Sequence, residues 1–350
     1  MPRAGGAAIG CLVALIFLVI PAPRGPFAAS RDVPDLAGAR TAALDMPRLH
    51  SLLVSWRGEV ILEQYGKGIT PTRLANVKSV SKSVISALVG IAIDEGLIPG
   101  VETRLSTYFP VLLEDRDERK RQITVGHLLS MQSGLESTSS GNYGPWVRSR
   151  NWVSYVLARS MVSDPGTSME YSTGSTHLLS AILTRVTKRS TYAFAQEKIG
   201  RPLGLTLARW PRDPQGIYFG GNDMLMTPRQ MLAFGELYLR GGVAGGRQVV
   251  PRAWVETSCA PRGRSRYNPD QQYGYGWWLR TFGGVEGCFA WGFGGQYILV
   301  FRDLDLVIVT TSSPEVSEER RGHRRLVFDL VERLVVPQVA AARGTVHATR

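Results

Sequence analysis

Strand-like patterns lie at both ends of this chain, and helical patterns fill its middle. His50–Ser55 and Val60–Tyr65 are apolar-rich, and Arg57-Gly58-Glu59 between them is typical of a hairpin turn. The pattern is mainly helical from 105 to 250 and turns back to strand after 273. The simplest architecture is an α/β (α+β) fold. In it, one antiparallel sheet is built from both termini and flanked by helices, with a mostly helical inserted domain.

The domain boundaries follow from these patterns. We predict a sheet domain from residues 45–80 and 255–337, a mainly helical domain from 81–254, and a disordered tail at 338–350. The predicted helices are Ser83–Glu95, Val125–Met131, Trp152–Ser160, Ser175–Thr187, Tyr192–Ile199, Pro228–Leu239 and Glu318–Val335. The predicted later strands are Tyr273–Phe282, Cys288–Ala290, Gln296–Phe301 and Leu306–Thr311. We expect a catalytic cleft between the two domains.

Residues 1–30 are typical of a secretory signal peptide. Arg3 precedes an apolar run from about Ala7 to Ile20, and the small residues Ala28-Ala29-Ser30 follow. The run is short for a membrane-spanning helix, which needs about 20 apolar residues. We therefore expect an exported, periplasmic or secreted protein, with an uncleaved N-terminal anchor as the main alternative.

Two cysteines, Cys259 and Cys288, lie outside this segment. Export permits a disulfide between them, but the sequence cannot place their Cα atoms within bonding range. The alternative is two buried free thiols.

The chain is strongly basic, with a net charge of +12. Its basic stretches at 116–121, 262–266 and 320–325 are mixed with acids or placed in loops. None has the interleaved aromatic residues of a nucleic-acid surface. We expect no nucleic-acid partner, whereas association with an anionic membrane surface stays open, as does the oligomeric state.

Ser79-Val80-Ser81-Lys82 precedes an amphipathic helix. Residues three apart share a helix face, so the Lys82 amine is expected beside the Ser79 hydroxyl. A serine attacks carbonyl carbon well only when a neighbouring base takes its proton, and partial burial favours a neutral lysine. The alternative is structural: Ser79 caps the helix and Lys82 is solvated.

Two further segments carry candidate chemistry. Tyr171 precedes the predicted helix at Ser175, and a phenol with a lowered pKa beside an amine can act as a general base and acid. Trp291, Gly292 and Gly294 belong to a glycine-rich strand edge, where a substrate can approach backbone N–H groups. Packing for the tyrosine and a β-bulge for the glycines are the structural alternatives.

Aromatic and imidazole side chains complete the candidate site. Tyr143 and Trp146 lie in a long loop at 132–150, which we expect to close over the cleft. His177 either packs inside a helix or lines the cleft near the tyrosine. Alternation along a strand predicts that Tyr273, Tyr275 and Trp277 share one face.

Other catalytic classes lack their motifs. There is no Gly-x-Ser-x-Gly pentad, no HExxH or HxH pair and no dinucleotide fingerprint. We predict no metal and no cofactor.

The three elements, in this order, resemble the serine β-lactamase and penicillin-recognising hydrolase superfamily. Within it, Ile123–Leu135, Tyr171–Ile182, Asp213-Pro214-Gln215-Gly216 and Gly292–Gln296 are similar to the branch of class C-type esterases and 6-aminohexanoate-dimer hydrolases. The resemblance implies that Ser79 is acylated, that Lys82 is its proton partner and that Tyr171 is the third catalytic group. It also implies an oxyanion hole made by the backbone N–H groups of Ser79 and Phe293.

The sequence departs from class C β-lactamases at two places. Thr173 stands where they carry the asparagine of Tyr-x-Asn, and Ala290-Trp291-Gly292 stands where they carry Lys-Thr-Gly. The lysine that attracts a β-lactam carboxylate is therefore missing. We expect an esterase or amidase of small-molecule substrates. The alternatives are a β-lactamase or D,D-peptidase, and a non-catalytic penicillin-binding-like sensor.

Overall fold

A computed structural model describes Met1, residues 33–265 and residues 268–348. The strands are β1 Leu49–Trp56, β2 Glu59–Tyr65, β3 Ala75–Asn76, β4 Leu225–Met226, β5 Val243–Ala244, β6 Arg247–Gln248, β7 Gly263–Arg264, β8 Gln272–Tyr273, β9 Trp278–Phe282, β10 Val285–Gly292, β11 Gln296–Phe301 and β12 Leu306–Ser312. The α-helices are α1 Ala37–Leu44, α2 Ser81–Asp94, α3 Val125–Leu129, α4 Tyr143–Val147, α5 Trp152–Leu157, α6 Thr173–Thr187, α7 Thr191–Ala195, α8 Pro228–Leu239, α9 Arg252–Ser258, α10 His323–Leu330 and α11 Val336–Ala348.

Strands from both ends of the chain form one eight-stranded sheet. Its order is β2-β1-β12-β11-β10-β9-β8-β7, and all neighbouring pairs are antiparallel. The predicted fold class is thereby confirmed. The first hairpin turns at Arg57 and Gly58, whose φ angles are 54° and 80°, as a two-residue hairpin turn requires.

Helices cover both faces of the sheet. Alternate residues of β1 point to opposite sides, so that Leu52 packs in the core shared with α10 and α11, and Leu53 packs in the core shared with α2, α6 and α8. The helix α8 begins where Thr227 caps it and Pro228 occupies its first turn, as an N-terminal capping motif dictates. The core that contains Leu53 belongs to the helical layer that carries the candidate site.

The C-terminal segment corrects one prediction. Residues 338–350 were expected to be a disordered tail, but α11 extends over Val336–Ala348. Val339 is fully buried in the core that contains Leu52, because this helix continues the apolar face of α10. The predicted signal peptide 1–30 lies outside the described residues apart from Met1.

The strand predicted at Tyr273–Phe282 is two strands. Gly276, with a φ of 79°, lies in the break between β8 and β9. Tyr273 therefore packs in one core, whereas Tyr275 and Trp277 pack in the other. The prediction that these three aromatic residues share a face was wrong, since strand alternation does not continue through the break.

Cys259 and Cys288 form a disulfide, with 5.8 Å between their Cα atoms. It ties the end of α9 to β10. The question that the sequence left open is settled in favour of the bond. No helix among the described residues is both long and apolar enough to cross a bilayer.

Candidate active site

Ser79 lies in a short 3₁₀ turn, Lys78–Val80, that leads directly into α2. Val77 and Val80 are fully buried and anchor this turn. The hydroxyl of Ser81 donates to the carbonyl of Lys78 over 2.6 Å and accepts from the backbone N–H of Met224 over 3.1 Å. These contacts hold Ser79 at the start of the helix with its side chain at the cleft.

Lys82 is 1% exposed, and its amine has three polar partners. Its Nζ donates to Gly221 O over 2.6 Å, and it lies 2.9 Å from Ser79 Oγ and 3.3 Å from Thr173 Oγ1. None of the three carries a charge. Burial lowers the pKa of Lys82 to about 7, although the negative charge of Asp223 offsets part of the effect. A pKa near 7 gives the amine a large neutral fraction at physiological pH, which is the condition that a base role for Lys82 requires.

Asp223 belongs to a charged group at the rim of the cleft that sequence reasoning missed. Its Oδ1 lies 2.8 Å from Lys78 Nζ and accepts from Asn76 Nδ2 over 2.9 Å. Lys78 and Asp223 both have positive φ angles, 52° and 63°, which non-glycine residues rarely adopt. The pair joins the turn before Ser79 to the segment that carries Gly221. No motif marks it, because its members lie 145 residues apart.

Tyr171 lies beside Ser79 and Lys82. Its ring centroid is 4.9 Å from Lys82 Nζ, and the ring stacks on Trp278 with 5.6 Å between centroids. Burial raises the pKa of the Tyr171 phenol well above its usual value, and its hydrogen bond with Ser79 offsets this only in part. The lowered pKa that would suit this phenol to act as a base is therefore not found. The phenol stays protonated at neutral pH and is suited to donating a proton rather than to acting as a phenolate.

Thr173 occupies the first turn of α6 and is held by Ser139, another residue that the sequence did not single out. Ser139 Oγ accepts from the backbone N–H of Thr173 over 2.7 Å and lies 2.8 Å from its hydroxyl oxygen. The threonine hydroxyl thus has a fixed place next to the lysine amine.

The glycine-rich edge of β10 packs against the Ser79 turn. A Cβ at Gly292 would lie 2.1 Å from the carbonyl oxygen of Val77, so only glycine allows this approach. Gly294, with a φ of 87°, packs against Ser313 in the same way. Close backbone packing requires glycine at both positions, and their predicted part in substrate binding stays a prediction. An oxyanion hole from the backbone N–H groups of Ser79 and Phe293 stays a prediction.

A cleft of about 730 Å³ opens over Ser79. Trp291 and Phe293 line it from the strand edge, and Tyr143 lines it from the long loop, as predicted. Tyr143 accepts a hydrogen bond from Asn222 through its phenol oxygen, over 2.8 Å. Arg324 stands on the strand side, 5.3 Å from the Trp291 ring centroid. The other residues around the cleft are Lys78, Ser137, Ser139, Ser140, Met169, Glu170, Tyr171, Thr173, Asn222, Ser265, Asn268, Gln271, Trp278 and Val316.

Two predicted substrate-binding residues lie elsewhere. Trp146 and His177 are fully buried and pack together with Trp152 and Phe219 in an aromatic cluster. The Trp146 indole donates to the Trp152 carbonyl, which a residue facing solvent would not need. Neither side chain reaches the cleft, because α4 turns the tryptophan inward under the loop.

Within the described residues, no three His, Cys, Asp or Glu side chains come close enough together to hold a metal ion. The candidate chemistry rests on Ser79, Lys82 and Tyr171, which the structure brings together.

Comparison with known proteins agrees with this geometry. The family model described as Beta-lactamase matches residues 50–332. A curated 6-aminohexanoate-dimer hydrolase of Paenarthrobacter ureafaciens is 28% identical over 304 residues, covering 78% of this chain and 74% of the relative.

Solved structures share the fold. A putative 6-aminohexanoate-dimer hydrolase from Bacillus anthracis has a TM-score of 0.67 at 20% identity, with 83% of this chain and 82% of the other covered. A class C beta-lactamase from Rhodobacter sphaeroides has a TM-score of 0.63 at 18% identity, with 84% of this chain and 99% of the other covered.

Proposed function

The chain belongs to the beta-lactamase family, and from that premise we propose that it is a serine hydrolase that cleaves ester or amide bonds through an acyl-enzyme on Ser79. The single observation that carries the proposal is the 2.9 Å contact between Ser79 Oγ and a buried Lys82 amine whose pKa lies about 7. A neutral amine at this distance can accept the hydroxyl proton.

In the proposed acylation step, Ser79 Oγ attacks the carbonyl carbon of the substrate while its proton passes to Lys82 Nζ. The tetrahedral intermediate carries its negative charge on the former carbonyl oxygen, which faces the backbone N–H groups of Ser79 and Phe293. As the bond to the leaving oxygen or nitrogen breaks, that atom takes the phenol proton of Tyr171 while the same phenol oxygen takes a proton from the Lys82 ammonium.

Deacylation reverses these roles. Water attacks the Ser79 ester, gives one proton to the Lys82–Tyr171 pair, and releases the carboxylic acid. Serine recovers its proton at the end of the cycle. The high pKa of Tyr171 supports a phenol that relays protons without ever storing the negative charge.

An ester or amide substrate is favoured over a β-lactam by the wall of the cleft. Trp291 lines the strand edge where class C β-lactamases carry a cationic Lys-Thr-Gly strand. The aromatic surface made with Tyr143, Trp278 and Phe293 fits an apolar acyl chain. The similarity to 6-aminohexanoate-dimer hydrolase supports a linear amide as one substrate type.

We also propose that the protein is exported. The disulfide between Cys259 and Cys288 supports an oxidising compartment, in which such bonds persist. Fractionation of cells that express the full chain would test this, since the proposal requires the mature protein outside the cytoplasm.

The direct test of the function is labelling with a fluorophosphonate, followed by mass spectrometry of the labelled peptide. We expect one label, on Ser79, that is absent from Ser79→Ala and retained in Ser140→Ala, a matched serine of the same cleft. An unlabelled wild type, or label that persists in Ser79→Ala, would contradict the proposal.

Substrate preference needs a second measurement on the same protein. A panel of p-nitrophenyl esters, linear amides and nitrocefin would rank the acyl substrates. We expect esters and linear amides to turn over faster than nitrocefin; the reverse order would favour the β-lactamase alternative.

A further inference from the structure

A buried histidine–aspartate pair lies behind the candidate active site without facing the cleft. His177 Nε2 is 3.1 Å from Asp213 Oδ2, and both side chains are 0% exposed. The other carboxylate oxygen, Oδ1, accepts from the backbone N–H groups of Gln215 (2.9 Å) and Ile217 (2.8 Å). The proposed chemistry uses neither residue.

The contacts of the pair determine which ring nitrogen of the histidine carries the proton. The backbone N–H of Gly220 points at His177 Nδ1 over 3.4 Å, so Nδ1 must be an unprotonated acceptor. Nε2 then carries the hydrogen and donates it to Asp213. The carboxylate accepts from every neighbour, and the imidazole is neutral with one defined tautomer.

Gly220 and Gly221 are pressed against α6, the helix that carries His177. A Cβ at Gly220 would lie 2.2 Å from the Thr176 carbonyl oxygen, and one at Gly221 would lie 2.6 Å from the Thr173 carbonyl oxygen. In this position the Gly221 carbonyl accepts from Lys82 Nζ over 2.6 Å. One peptide unit therefore separates the histidine contact from the lysine contact.

A neutral lysine amine has two N–H bonds and one lone pair. For the lone pair to face Ser79 Oγ, both hydrogens need acceptors elsewhere. Gly221 O and Thr173 Oγ1 are the two other partners of Lys82 Nζ. A carbonyl can only accept, so it fixes one hydrogen, whereas the threonine hydroxyl can also donate. The Gly221 carbonyl is thus the group that most directly orients the amine.

We propose that His177 and Asp213 are positioning residues for acylation: they hold the Gly221 carbonyl so that the lone pair of Lys82 points at Ser79. The inference rests on the proposed function. It also gives the Asp213-Pro214-Gln215-Gly216 segment a role, since its turn presents two backbone N–H groups that orient the carboxylate.

Asp213→Asn tests the pair with almost no change in volume. An amide offers N–H where the histidine needs an acceptor, so the imidazole is driven to the other tautomer and its Nδ1–H then opposes the N–H of Gly220. We expect the maximal rate of fluorophosphonate labelling, kinact, to fall about 10–100-fold, the range seen when an orienting contact behind a reactive group is lost. The inhibitor constant KI should stay within about twofold, because the cleft wall is untouched.

Two substitutions of His177 separate positioning from mere support of the fold. In His177→Asn the side-chain oxygen can still accept from the N–H of Gly220, whereas His177→Phe fills the same aromatic cluster but accepts nothing. Both variants lose the donor to Asp213, and both are expected to be less stable. We expect His177→Asn to keep kinact within about threefold of wild type. In His177→Phe we expect kinact to fall by about as much as in Asp213→Asn.

Rates are normalised to folded protein by thermal unfolding and by the final extent of labelling. If kinact is unchanged in Asp213→Asn and in His177→Phe, or if His177→Asn falls as far as His177→Phe, the positioning role is overturned. These results are distinct from failure of the proposed function. In that case wild-type Ser79 itself is not labelled, and the positioning role is contradicted as well. Should Asp213→Asn not fold, the two His177 variants decide the matter alone.

Discussion

Two buried lysines of this protein have opposite surroundings. Lys82 is 1% exposed and Lys120 is 4% exposed. Lys120 Nζ lies 2.7 Å from the Asp115 carboxylate and donates to the Leu157 carbonyl over 2.9 Å. Lys82 has two hydroxyls and a carbonyl, with no carboxylate in ion-pair distance among the described residues.

This difference separates a structural cation from a candidate base. A buried ammonium next to a carboxylate recovers by ion pairing much of the hydration that it loses. Lys82 lacks this compensation, and its pKa falls to about 7. Burial alone therefore does not make a candidate base; burial among uncharged acceptors is what distinguishes Lys82, and the comparison can be tested at each lysine separately.

The largest expected effect is on acylation. Lys82→Met should lower the rate of Ser79 labelling by at least about 10⁴-fold, because the serine loses the base that takes its proton. Lys120→Met is the matched control: it removes another buried amine and should leave the labelling rate per folded molecule within about twofold. Similar losses in both variants would mean that general damage to the fold, and not the loss of a base, lowers the rate.

The second effect is on the pH dependence of stability. Between the folded pKa of Lys82, about 7, and the unfolded value near 10.4, only the unfolded chain holds the proton. Stability therefore rises with pH through this window, by up to about 1.4 kcal/mol for each pH unit. Chemical denaturation of wild type and Lys82→Met between pH 7 and 10 isolates the contribution of Lys82 to the free energy of unfolding, because the contributions of other titrating groups cancel in the difference.

We expect the free energy of unfolding of wild type, relative to Lys82→Met, to increase steadily from pH 7 to pH 10. A difference that stays flat over this range would show that Lys82 has an ordinary pKa in the folded protein.

A smaller effect is expected when Lys82 is given the carboxylate that it lacks. Thr173→Asp would place an acid near the amine, since Thr173 Oγ1 is 3.3 Å from Nζ. A neighbouring opposite charge raises a lysine pKa by about 1–3 units, so labelling at pH 7 should fall roughly 10–100-fold and recover at higher pH.

Thr173→Asn is the neutral control for that substitution. Its side chain is nearly the same size as aspartate but carries no charge, and we expect little change in the pH at which labelling is half-maximal. An equal shift in both variants would assign the effect to shape rather than to charge.

The smallest effect concerns the structural lysine. The neighbouring Lys120 side chain lowers the pKa of Asp115, so the ionised carboxylate stabilises the fold above its unfolded pKa. Asp115→Asn should cost about 1 kcal/mol of unfolding free energy at pH 7, with no change in labelling. The difference from wild type should vanish as pH falls through the lowered pKa of Asp115; a difference that persisted there would contradict an ionic origin.

Local signals made much of the fold predictable. The residues of the turn at Arg57-Gly58 indicate the hairpin, whose strands lie within one residue of the predicted bounds. The helix α8 has the predicted bounds, Pro228–Leu239. The continuation of α11 past residue 338 was missed because its stabilisation comes from Val339 packing on a distant sheet.

The candidate site was predictable only where its chemistry is local. Ser79 and Lys82 are one helical turn apart, so spacing alone brings them together. The acceptor at Gly221 is a backbone carbonyl 139 residues from Lys82. Every residue has such a carbonyl, so the pattern of side chains cannot indicate which one binds the lysine. Likewise Trp146 and Trp291 look alike in sequence, and only tertiary packing decides that one is buried and the other lines the cleft.

The most direct measurement of the central claim is the pH dependence of Ser79 acylation. The labelling rate of wild type under single-turnover conditions should fall below neutrality with an apparent pKa near 7, as Lys82 takes up a proton and ceases to be a base. A rate that stays constant down to pH 5, or that falls only with an ionisation near 10, would contradict the account of Lys82 as the neutral amine that activates Ser79.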